Sequence, residues 1–157
     1  MSRRRRAEKR TTAPDPLYKS ELLAKFINKV MLAGKKSLAS AIVYKALEQA
    51  AEKLKLDNQL DLFETALEHA KPTLEVKSRR IGGATYQVPI EIPSKRRISM
   101  AMKWIITFAR AKPGRSMVRG LAEELADCYN RQGATIKKKD DTHRMAEANR
   151  AFAHYKW

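Results

Sequence analysis

Cysteine, glycine and proline are scarce in these 157 residues, at one, six and six. A lone Cys128 can neither close an intrachain disulfide nor build a cysteine-based zinc site, and the chain reads as intracellular and reduced. No run of about 18 apolar residues occurs, so no membrane span is expected, and no apolar stretch follows the basic N-terminus as an export signal requires. The signatures of catalysis are missing too. His69, His143 and His154 are scattered, without the close i, i+4 pairing and carboxylate that a zinc site needs. There is no Walker loop, no dinucleotide fingerprint and no glycine-flanked nucleophilic serine. Asp140 and Asp141 are adjacent, so a helix splays them by about 100° and they do not converge as an acid–base pair. We expect no enzyme, no cofactor and no metal.

Positive charge is what the chain has in excess. Lys and Arg number 33 against 17 Asp and Glu, a net charge of +16, while 43% hydrophobic residues remain to build an interior. Such a protein repels itself when compact and is drawn to polyanions. The length suits one domain of residues 17–157, preceded by a short arm. Residues 1–16 carry Arg3, Arg4, Arg5, Arg6, Lys9 and Arg10 with almost nothing apolar, and should stay disordered until a partner orders them.

Apolar spacing predicts six helices. Leu22, Phe26 and Val30 form one row of the first, with Leu23, Ile27 and Met31 beside it, and Gly34 stops it. The second, from about Ser37 to Leu54, should turn Leu38, Ile42, Leu47 and Leu54 inward. Asp57 or Asn58 caps the third, which uses Leu60, Phe63 and Leu67 and carries an acidic ridge of Asp57, Asp61, Glu64 and Glu68. That ridge should face away from a polyanion.

Between Pro72 and Pro93 the apolar period falls to two. Leu74 and Val76, then Tyr86, Val88, Ile90 and Ile92, alternate with polar residues around Gly82-Gly83. This predicts a β-hairpin over about 73–92, its base leaning on the helices and its tip projecting. Ser94 is expected to cap the fourth helix, with Ile98, Met102, Ile105 and Ala109 in one stripe, and Ser116 the fifth, with Val118, Leu121, Ala122, Leu125 and Tyr129 inward. The sixth, from about Ala134 to Tyr155, shows only a thin stripe of Met145, Ala148 and Phe152. The fold class is therefore mainly α: a six-helix domain with a protruding β-hairpin between helices three and four, and a basic N-terminal arm.

Beyond the arm the cations cluster at Lys35-Lys36, at Lys77, Arg79 and Arg80, at Lys95-Arg96-Arg97, at Arg110, Lys112, Arg115 and Arg119, and at Lys137-Lys138-Lys139. Helix starts already attract anions, so Lys36, Arg96 and Lys137 near such ends suit phosphate capture better than helix stability. Fifteen of the 33 cations are Arg, whose planar fork grips phosphate with paired hydrogen bonds. Tyr86 and Trp104 read as packing residues first and as stacking partners of bases second. A DNA-architectural or helix-turn-helix protein is the competing reading, with helices five and six flanking Arg131-Gln132-Gly133. A hairpin inside the helical order has no place in that motif.

Four stretches carry a resemblance. Asp15 to Ser37, Leu74 to Pro89, Arg96 to Trp104 and Thr142 to Trp157 closely resemble the bacterial small-subunit ribosomal protein seven family, in the expected order along the whole chain. The resemblance implies a six-helix body with a β-ribbon in the head of the small subunit. It implies binding to the 3′ major domain of the small-subunit rRNA, early enough to nucleate head assembly. The ribbon, Lys77 with Arg79, Arg80, Ile81, Gly82, Gly83 and Ala84, would face exit-site tRNA and the mRNA exit path. Arg3, Arg4, Arg5, Arg6, Arg10, Lys35, Lys36, Arg96, Arg97, Arg110, Arg115, Arg119, Lys137, Lys138 and Lys139 would hold rRNA. Small-subunit ribosomal protein eleven and other head proteins would be neighbours, with no membrane and no homo-oligomer, in a bacterial cytoplasm or a chloroplast stroma. Ile81 stands where Val is usual, and Pro93 and Lys139 where Arg is common. Pro93 puts one rRNA contact in doubt, for which Lys95 could substitute.

Overall fold

The computed structural model describes residues 11–155. Chain entry is fixed before the first helix. Asp15, assigned to the arm by composition, is 4% exposed. Its Oδ2 accepts from the backbone N–H groups of Leu17 and Tyr18, and its Oδ1 accepts from the Tyr44 hydroxyl at 2.6 Å. The ordered body therefore reaches back at least to Asp15.

Six α-helices and one ribbon follow in the expected order. Helix α1 (Glu21–Val30) opens at Ser20, whose Oγ accepts from the Leu23 N–H. Helix α2 spans Lys36–Leu54, and α3 (Gln59–Ala70) opens at Asn58, whose Oδ1 accepts from the N–H groups of Leu60 and Asp61. Strands β1 (Leu74–Ile81) and β2 (Ala84–Glu91) pair antiparallel, and α4 (Ser94–Ala111), α5 (Met117–Tyr129) and α6 (Gly133–Ala148) come next. A 3-10 helix over Arg150–Tyr155 ends the described chain.

The core lies among the helices. Phe26 of α1 and Phe63 of α3 tilt against each other at 5.1 Å between ring centres, surrounded by fully buried Leu23, Ile27, Leu47, Met102, Ile105, Leu121 and Leu125. Helix α5 runs through the middle, and one close approach needs a glycine: a Cβ on Gly120 would stand 2.7 Å from the Ala109 carbonyl oxygen of α4. Any side chain there pushes α4 and α5 apart. Among the described residues no helix is long and apolar enough to cross a membrane.

Three expectations need correction. Leu38 is 56% exposed, and the inward face of α2 is Ala39, Val43, Ala46, Leu47, Ala50 and Ala51. Leu38 and Leu47 stand two and a half turns apart at about 3.6 residues per turn, so one helix cannot bury both on one face. Ser94 does not cap α4. It is the first helical residue, and the Pro93 carbonyl receives the N–H groups of Arg96 and Arg97. Finally, α6 stops at Ala148, so Phe152 does not extend its stripe, and Met145 is 48% exposed. The buried residues of α6 are Thr135, Ile136, Thr142 and Ala146. Two are threonines, which apolar periodicity overlooks: Thr135 donates its hydroxyl to Glu124 and Thr142 to the Lys138 carbonyl.

Candidate nucleic-acid interface

The ribbon is the first part of the interface. Gly82 and Gly83 have φ of +57° and +89°, the left-handed pair of a two-residue type I′ turn, with Ile81 paired to Ala84 across it. Arg79 lies opposite Tyr86 and Arg80 opposite Thr85, and the outer half of both strands is exposed. Arg79, Arg80, Gly82, Gly83 and Ala84 thus lie together on a projecting finger.

Its inner half is fastened to the helices. Glu75, a polar position in the sequence pattern, is buried, and Arg96 reaches it with Nη2 at 2.9 Å from Oε2 and Nε at 3.1 Å from Oε1. Hydrogen bonding to Glu75, then its charge, raises the Arg96 pKa further. Lys77 Nζ stands 3.6 Å from the same carboxylate. Arg97 Nε donates to the Ile92 carbonyl at 2.7 Å, and the Thr73 N–H donates to His143 Nε2 at 2.9 Å. Tyr86 packs, but not at the ribbon base: its ring lies 5.3 Å from both Phe152 and Tyr155 of the 3-10 helix. Trp104 is half-buried on α4.

The remaining cations divide by what already holds them. Arg110 donates to the Val30 carbonyl at 3.0 Å and Lys139 to the His69 carbonyl at 2.6 Å. Arg115 and Arg119 both meet Glu123, and Lys112 sits among Glu123, Glu124 and Asp127, 3.1 Å from the fully buried Glu124. This cluster is largely neutralised within the body. By contrast the side chains of Lys35, Lys36, Arg80, Lys137 and Lys138 make no hydrogen bond or ion pair among the described residues. Lys35 is the N-cap of α2 without a side-chain bond to the helix, so α2 begins with free N–H groups beside two ammonium groups. Arg3, Arg4, Arg5, Arg6 and Arg10 lie outside the described residues.

Sequence reasoning missed one basic cluster. Lys29 of α1 and Lys103 of α4 line one pocket with Arg110. Burial, then repulsion from Lys103, lowers the Lys29 pKa, and Lys29 Nζ is held by the Ser99 hydroxyl at 2.7 Å. Lys103 and Arg110 are seven residues apart, two turns along one face, which was the available signal.

Residues 2–150 match the family described as ribosomal protein S7p/S5e. The chain belongs to that family. It is 70% identical over the full length of both chains to small ribosomal subunit protein uS7 of Protochlamydia amoebophila. The proteins of the same name from Chlamydia felis and Chlamydia trachomatis serovar D are 66% and 65% identical over the same span. Membership of the ribosomal S7 family makes the broad role a structural one in the ribosome, and the comparisons lend the DNA-architectural alternative no support.

Proposed function

We propose that this S7-family chain binds the 3′ major domain of small-subunit rRNA and nucleates assembly of the subunit head. Its ribbon tip would lie beside the exit-site tRNA and the mRNA exit path. Small-subunit ribosomal protein eleven is the proposed neighbour there, within a ribosome of the bacterial cytoplasm.

The observation that carries this reading is the set of uncommitted cations. On a +16 chain, Lys35, Lys36, Arg80, Lys137 and Lys138 have no side-chain partner among the described residues, near two helix starts and a ribbon tip, while the cations paired within the body serve the fold. Such groups displace condensed counterions from a folded polyanion, so affinity should fall by several decades between low and moderate salt if about six to ten phosphates are engaged. The A-form major groove is too narrow to read, so selectivity would come from RNA shape and from bases at junctions.

The test compares binding of the full chain to the folded 3′ major domain fragment and to duplex DNA at matched salt. The expected result is a strong preference for the RNA. Equal affinity for both would reduce the reading to non-specific charge attraction.

A further inference from the structure

The turn between α1 and α2 leaves large apolar side chains in solvent. Leu32 is 65% exposed and Leu38 56%, and together with Ile42 and Met117 they line an open groove of about 460 Å³. Lys35 borders the groove and so does Arg110, whose guanidinium is tethered to the Val30 carbonyl. Arg110 also lines the adjoining pocket of Lys29 and Lys103. An apolar shelf is thus bordered by one cation and shares another with a three-cation pocket.

A partner protein would need acidic residues around its apolar anchor to fit this border. A nucleotide has the two properties in one unit, a flat apolar face and an adjoining phosphate. We propose that the groove holds one unstacked base of the rRNA, with an adjoining phosphate in the pocket of Lys29, Lys103 and Arg110. This rests on the rRNA-binding reading and adds a contact that reads an unpaired nucleotide rather than charge alone. Bases pack on apolar side chains as well as on aromatic rings and guanidinium planes, and an aromatic platform, worth about tenfold in binding, sets the upper scale for this aliphatic groove.

The experiment measures affinity of the full chain for the folded 3′ major domain fragment across a salt series. Leu32→Ser with Leu38→Ser should weaken binding by up to about tenfold and leave the salt slope at the wild-type value, because no phosphate contact is lost. Lys103→Ala should instead reduce the slope by about one. Both leucines are more than half exposed, so melting should be unchanged. If the double variant melts early, Leu38→Gln alone replaces it, with the same loss expected in part. Unchanged RNA affinity overturns the proposal, and so does a loss seen only when other head proteins are added, or only as loss of self-association. Failure of the wild-type chain to bind the fragment would instead remove the parent reading.

Discussion

Cys128 shows how one residue inherits its chemistry from its packing. It is fully buried on α5, and burial first, then the Glu124 carboxylate, pushes its thiol up to about 12. The thiolate is the reactive form, so the native sulfur should be inert at neutral pH. Alkylation followed by mass spectrometry should give negligible labelling of the folded chain and fast labelling in denaturant; rapid native labelling would mean that α5 opens locally. Glu124 sets the same neighbourhood from the other side. Its Oε1 accepts from the Thr135 N–H at 3.0 Å and from the Thr135 hydroxyl at 2.7 Å, tying the start of α6 to α5, while Lys112 balances its charge. The sequence offered no sign of this carboxylate's burial, because its partners lie eleven residues ahead and twelve behind. The same holds for cations. Arg96 and Lys35 look alike as letters, yet Glu75 claims the first across the ribbon base and nothing described claims the second.

At the scale of elements, the ribbon is held to α6 by a contact that protonation can break. The Thr73 N–H donates to His143 Nε2, which requires the neutral ring with its proton on Nδ1. Burial first, then the Lys139 charge, lowers the His143 pKa, against a smaller opposing effect of Asp140. A depressed histidine pKa means that the unfolded chain binds the proton more readily, so this contribution is complete above about pH 6.5 and is lost as pH falls through the lower folded value. Protection of the Thr73 amide, its exchange rate set against the free-peptide rate at the same pH, should fall on acidification below that range. In His143→Asn, where a side-chain oxygen can still accept, this pH-dependent loss of protection should vanish; an unchanged pH profile would show that another group controls the contact. Two side-chain caps were legible beforehand, Ser116 outright and Asn58 as one of two candidates; Ser20 marks the start of α1 by the same kind of local bond. Starts without such a bond, at Lys36 and Ser94, and the end of α6 at Asn149, depend on backbone geometry that the letters do not display.

For the whole molecule, the decisive arrangement is a stiff finger on a helical body. An isolated two-stranded ribbon is marginal in water. Here Glu75–Arg96, Arg97–Ile92 and Thr73–His143 clamp its inner end, and the Tyr86 ring packs on the 3-10 helix part-way along. The base is therefore anchored to the helices while the tip lies outside the core. Of the acidic ridge, Asp61, Glu64 and Glu68 are exposed on α3, whose other face packs in the core, and Asp57 is exposed just before the Asn58 cap. Separation of finger from body makes their roles separable by substitution. Arg79→Ala with Arg80→Ala removes two charges at exposed positions of the paired strands and should leave the fold and incorporation into small subunits close to wild type. Retention of exit-site tRNA, or reading-frame fidelity in reconstituted translation, should fall. Lys35→Ala with Lys36→Ala should do the reverse, lowering rRNA affinity and slowing head assembly, with normal tRNA handling in the particles that form. If the tip variant instead failed to assemble, the finger would be an anchor for rRNA and its proposed place beside the tRNA would have to be abandoned.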